Sequence, residues 1–176
     1  MEDNRVMTNE LAPSKAELLQ ALHTSRDEVV ALVRGLPPER LEEGRYENGW
    51  NGRQILAHIA SIEWSYPRLI EVARTPPGPA GEPPPTRAPK SGNEDYNERQ
   101  VAKRAHLTVA ELLVEFETNR AATIRAVEAA DEALFARRIR SAFGVVGPLA
   151  AVFHQVAVVH VVGHARDIAG PEAGPR

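Results

Sequence analysis

LAAVFHQVAVVHVVGHARDI, running from Leu149 to Ile168, places apolar residues on nearly every side of a helix. A helix of that kind is enclosed by neighbours; one lying on a surface keeps a polar face. Its most apolar part, Pro148 to Val162, is interrupted by His154, Gln155 and His160. It is also shorter than the roughly 20 residues a bilayer span takes. The segment is therefore read as the central helix of a bundle. It carries one conspicuous pair, His160-Val161-Val162-Gly163-His164. Histidines four apart project from one helix face, one turn apart, at a separation that suits a shared metal ion. Imidazoles on such a helix need partners, because a buried polar group left unsatisfied is costly. A metal answers that need, and so does a hydrogen bond to a neighbour or to water. Gly163 costs about 1 kcal/mol against alanine inside a helix. Either it admits a close approach or it is simply tolerated.

Upstream of this helix, Gly144, Gly147 and Pro148 mark a linker, and Ala142 to Val146 is at most a short extended piece. A third helical region begins near Asn93. It breaks around Leu107, where Thr108-Val109-Ala110-Glu111 has capping-box spacing. Leu112, Phe116, Thr123 and Val127 form its apolar stripe. Thr75 to Gly92 holds seven prolines and forms no regular element; it reads as a long crossover. The second helix starts at Trp50-Asn51-Gly52-Arg53 with Asn51 as N-cap. Its stripe is Ile55, Ile59, Ile62, Leu69 and Val72, and it ends before Thr75. A polar link from Glu42 to Gly49 and a turn at Pro37–Leu41 separate it from the first helix. That helix opens on the capping box Ser14-Lys15-Ala16-Glu17, runs through Leu18, Leu22, Val29, Leu32, Val33 and Leu36, and stops at Gly35 to Pro38. Nothing alternates long enough for a sheet. The expected fold is an all-α four-helix bundle over residues 14–170, preceded by a flexible leader at 1–13.

The 176 residues are 43% hydrophobic and 26% charged, as in an ordinary globular domain. A net charge of −3 offers no basic face for nucleic acid or an anionic membrane. No cysteine is present, so disulfides, thiolate ligands and a cysteine nucleophile are excluded. Met1-Glu2-Asp3-Asn4-Arg5 begins acidic with no apolar run behind it, which argues against a secretory signal and for the cytoplasm. There is no Gly-rich phosphate loop, HExxH or GxSxG.

His58 shares the inward stripe of the second helix with Ile55 and Ile62. A bundle brings that helix and the last one to a single core, so His58, His160 and His164 converge on one divalent ion in this reading. Zinc or nickel suits three imidazoles, and such a set leaves coordination positions open. Asp167, seven after His160, is placed to orient a ligand imidazole or to pair with arginine at the surface. Glu63 lies off the His58 face and is a weak ligand candidate. His23, His106 and His154 lack the spacing and are excluded. Arg53, Arg120 and Arg166 are candidates for binding cofactor carboxylates, while Trp50, Trp64, Tyr66 and Tyr96 are candidates for a pocket mouth.

Three features together resemble the DinB/YfiT-like superfamily of metal-binding four-helix bundles. They are Trp50-Asn51-Gly52-Arg53-Gln54-Ile55-Leu56-Ala57-His58-Ile59-Ala60, Tyr96-Asn97 opening the third helix, and the pair His160 and His164. The resemblance spans Ser14 to Ala169. It implies an up-down-down-up bundle with a long crossover between helices 2 and 3, a homodimer, and the metal-ligand role for His58, His160 and His164. It also implies a small-molecule substrate and transfer or isomerisation with an exogenous low-molecular-weight thiol, mycothiol or bacillithiol. A hydrolase that activates water, and a non-enzymatic metal-binding or stress-related bundle, are the alternatives. With no cysteine in the chain, a thiol nucleophile has to come from outside.

Overall fold

The computed structural model describes residues 12–44, 49–86, 89 and 92–170. Most of the expected leader and part of the Glu42–Gly49 link lie outside the described residues.

Each long helix starts where its cap says it should. Ser14 accepts from the Glu17 amide and Glu17 reaches back, opening α1 (Lys15–Arg34). Asn51 and Gln54 do the same for α3 (Gly52–Glu63). Thr108 and Glu111 open α6 (Val109–Ala129). These reciprocal bonds satisfy amides that the first helical turn leaves free. A short α2 (Pro38–Glu42) follows α1.

The second helix departs from the single element expected. It breaks at Trp64 to Tyr66 and resumes as α4 (Pro67–Arg74). Pro67 has no amide to continue the ladder, and it suits the first turn of a new helix instead. The third region is split as expected into α5 (Asn93–Lys103) and α6.

The last helix is continuous but not uniform. α7 (Leu149–His154) passes through one π turn, Gln155–Val159, into α8 (His160–Ala169), and the His160 amide bonds to the Gln155 carbonyl. A two-stranded antiparallel hairpin precedes it: β1 (Arg138–Arg140) pairs with β2 (Val146–Pro148), Ile139 opposite Gly147. Gly144 turns this hairpin at φ +81°, a left-handed conformation that glycine adopts without strain. The proline-rich crossover is pinned to the hairpin, since Thr86 donates its amide to Arg140 O and Arg140 donates to Pro84 O.

α1 and α3 each pack on α6 and α8, which sets the two pairs at opposite corners. Arg53 reaches Ala105 O while Glu63 meets Arg120, so α3 and α6 run the same way. Lys15 bonds to Ala130 O while Arg34 reaches Glu117, so α1 opposes α6. Gly52 abuts Ile168, and Tyr66 bonds to Val156 O, so α3 opposes α8. The bundle is therefore up-down-down-up, and α3 and α8 present their inward faces to each other. Leu18, Leu22, Ile55, Ile59, Leu112, Phe116, Phe153 and Ile168 fill the shared core.

Two glycines in these helices play opposite parts. A Cβ on Gly52 would meet Ile168 Cγ2 at 3.1 Å and Leu41 Cα at 3.2 Å, so α3 starts there only because a side chain is absent. Gly163 faces open space, with nothing within 4 Å of an added Cβ. No helix among the described residues approaches Gly163 closely.

Candidate metal centre

α3 brings His58 inward, and α8 presents His160 and His164 from one face. One ligand nitrogen from each lies within 4.8 Å of the other two. The rings stand almost perpendicular, with centroids 5.8 Å apart for His58–His160, 5.2 Å for His58–His164 and 4.4 Å for His160–His164. His58 and His164 are buried and His160 is half-buried.

The donor set fits a divalent ion. Nitrogens about 2.0–2.1 Å from a common tetrahedral ion lie roughly 3.4 Å apart, a spread that side-chain rotation can reach from 4.8 Å. His58 Nδ1 and His160 Nε2 are buried with no hydrogen-bond partner among the described residues. Burial, and then the charges of His164 and His160, pull the His58 pKa down to about 3. Burial and His164 pull His160 down to about 4. Both rings are thus neutral at physiological pH, the state in which imidazole ligates metal.

The surroundings are mainly aromatic. The Trp50 ring lies 5.3 Å from His58 and donates Nε1–H to Glu98 at 3.1 Å, so Trp50 backs the site and does not line a pocket mouth. Phe143, at the hairpin tip, lies 6.3 Å from His160. Asp167 Oδ2 is 3.8 Å from His164 Nδ1 on a mostly exposed side chain. No local signal in the sequence pointed to Phe143, because only the hairpin carries it to His160.

Glu63 is not near the ligand set. It is fully buried and paired with Arg120, Nε to Oε1 at 2.7 Å and Nη2 to Oε2 at 2.9 Å. Arg120 also donates to Leu22 O, Ser25 Oγ and Ala157 O. Burial raises the Glu63 pKa and Arg120 opposes the rise; because a guanidinium keeps its proton, the carboxylate form is its partner. Arg120 is therefore structural, contrary to its reading as a cofactor contact. Arg53 is committed to Glu42 and to carbonyls at Ala105 and Leu107, and Arg166 to Glu28.

Tyr66 and Arg120 together hold the π turn. Tyr66 Oη donates to Val156 O at 2.6 Å, and Arg120 Nη2 donates to Ala157 O at 2.7 Å. Both carbonyls belong to the turn immediately before His160. A π turn inserts a residue into the helical phase and is frequent at functional sites.

Beside the triad a cleft of about 400 Å³ runs between α3, α4, α5 and the hairpin. Ile62 and Val156, one turn from His58 and His160, form part of its wall, with Phe143, Tyr96 and Asn97. Trp64 and Tyr66 line it as well. None of the three histidines is in its lining; Phe143 is the residue that both share. Among the described residues no helix is long and apolar enough to cross a membrane.

Residues 21–168 match the sequence model of the DinB superfamily. No curated protein matches the chain. Among solved structures the fold is similar to that of YfiT from Bacillus subtilis, described as a probable metal-dependent hydrolase with an unusual four-helix bundle topology. The TM-score is 0.65 at 15% identity, covering 96% of this chain and 91% of YfiT. It is similar as well to a mycothiol-dependent maleylpyruvate isomerase, solved in wild-type and mutant forms. There the TM-score is 0.65 at 17% identity, covering 93% of this chain and 68% of the isomerase. At such identities the likeness is one of fold.

Proposed function

This chain belongs to the DinB superfamily, and on that premise we propose that it is a metal-dependent transferase using an exogenous low-molecular-weight thiol, of the mycothiol or bacillithiol kind. The observation that carries the reading is the convergence of His58, His160 and His164 within 4.8 Å in a chain with no cysteine of its own. A divalent ion such as zinc or nickel held there supplies Lewis acidity, which lowers the pKa of a thiol or water ligand.

The protein's own groups do the rest. Two neutral, desolvated imidazoles keep protons from competing for the donor nitrogens down to acid pH. Trp50 packs beside His58 and Phe143 beside His160, so aromatic rings flank the donor set on two sides. The cleft receives the substrate within a turn of the ligands. Hydrolysis asks for a nearby acid or base. Among the described residues lining the cleft none is a carboxylate, and Glu63 is committed to Arg120. Thiol transfer makes less demand on such a group, because a thiol ionises more readily than water.

The test is metal analysis of untagged protein, followed by conjugation of an electrophile with mycothiol, bacillithiol or glutathione, with and without added metal. Metal-dependent conjugation with at least one thiol is expected. Thiol-independent turnover of esters or amides would move the assignment to a hydrolase. Full metal occupancy with neither activity would leave a non-enzymatic bundle.

A further inference from the structure

Arg68 sits at the mouth of the cleft, its guanidinium carbon 4.2 Å from the centroid of the Trp64 ring. It makes no ion pair among the described residues, in contrast with Arg53, Arg104, Arg120 and Arg166, each paired with a glutamate. A guanidinium lying over an indole spends none of its N–H donors on the ring, which leaves them for a planar acceptor such as a carboxylate. No acidic side chain among the described residues lines this cleft to take those donors. Beyond Arg68 the wall turns apolar, with Ile62, Leu69, Phe143 and Val156. Thr86 Oγ1 adds a buried hydroxyl without a partner among the described residues, held in place by the backbone bonds that pin the crossover to β1.

From this arrangement we propose that the cleft binds a small organic acid, its carboxylate forked on Arg68 against Trp64 and its apolar body lying along the wall toward His160. The acid class follows from Arg68 being, among the described residues, the one cation in the lining of an apolar cavity that holds no carboxylate to compete for it. The volume, about 400 Å³, falls within the roughly 300–1,000 Å³ typical of small-molecule sites. The inference deepens the reading of the site given above, resting on it only for the cleft being the substrate's seat.

The experiment measures affinities of phenylacetate, 3-phenylpropanoate and 4-phenylbutanoate, each against its primary amide, by calorimetry or ligand-observed NMR. It uses the full chain both metal-stripped and zinc-loaded. In stripped wild type at least one acid should bind tenfold or more tighter than its amide. Arg68→Gln should erase that preference by weakening the acid far more than the amide, and Arg68→Lys should restore part of it. Equal binding of acids and amides, an unchanged preference in Arg68→Gln, or no binding of any probe at millimolar concentration would each overturn the assignment. Because the stripped protein carries the readout, a failed metal or thiol assay leaves this result interpretable. An acid preference seen only with zinc would place the carboxylate on the metal and also overturn it.

Discussion

Two buried polar clusters share the core of this bundle, and they are built on opposite rules. Around Arg120 the guanidinium, the Glu63 carboxylate, Ser25 Oγ and the carbonyls of Leu22 and Ala157 form a closed set. In the histidine cluster, His58 Nδ1 and His160 Nε2 have equal claim to partners and find none among the described residues. A protein able to satisfy a buried arginine so completely has the means to satisfy an imidazole. The closed cluster holds the helices together, and the open one leaves donor atoms grouped as a divalent ion requires.

Breaking the closed cluster should cost most. Arg120→Met leaves the Glu63 carboxylate buried and unpaired, a change worth about 3–5 kcal/mol; the urea midpoint should fall steeply, and adding Glu63→Leu should recover much of the loss. The open cluster should behave in reverse. His58→Ala should leave metal-free stability little changed, while metal affinity drops by more than the ~10–100-fold that losing an outer-sphere partner costs, as read by calorimetry. In wild type, metal at 100 times Kd should stabilise by about 2.7 kcal/mol, an increment absent from that variant.

Acid sharpens the contrast further. Burial holds the pKa of His58 down to about 3 and that of His160 down to about 4, below the ordinary imidazole value of 6.5. The unfolded chain therefore takes up protons first as pH drops. Stability of the metal-free protein should hold above pH 6.5 and decline as pH falls through the folded values, each ring contributing at most about 1.4 kcal/mol per pH unit. Denaturation midpoints at pH 7.5 and 5 measure this, and His58→Phe should flatten the decline. The smallest effect expected is that of Tyr66→Phe. Removing the bond to Val156 O should cost about 1 kcal/mol and weaken metal binding as well, because His160 follows directly on the turn that the bond holds. Unchanged affinity would make the π turn irrelevant to the site.

The helix starts were legible because capping is local. Ser14 and Glu17, Asn51 and Gln54, and Thr108 and Glu111 are each three residues apart, so the sequence contains both halves of every bond. The facing of His160 and His164 was legible for the same reason, helical geometry placing positions four apart on one face. The break at Pro67 was written locally as well, but the apolar stripe on either side of it reads through the interruption. The amino-acid sequence thus determined the four helical segments, the proline-rich crossover and the histidines available to the core.

What only the tertiary structure decided depends on partners far away in the chain. Nothing near Arg120 reveals that it is buried, because its carboxylate lies 57 residues upstream. The π turn has no signature of its own in an apolar run; it is held by Tyr66, in the break between α3 and α4, and by Arg120 of α6. The strands of the hairpin are three residues each, too short to show alternation, yet they carry Phe143 to His160. The meeting of His58 with the pair on α8 required α3 and α8 to run antiparallel with their inward faces opposed. That is a property of packing over the whole chain, and no local window of sequence contains it.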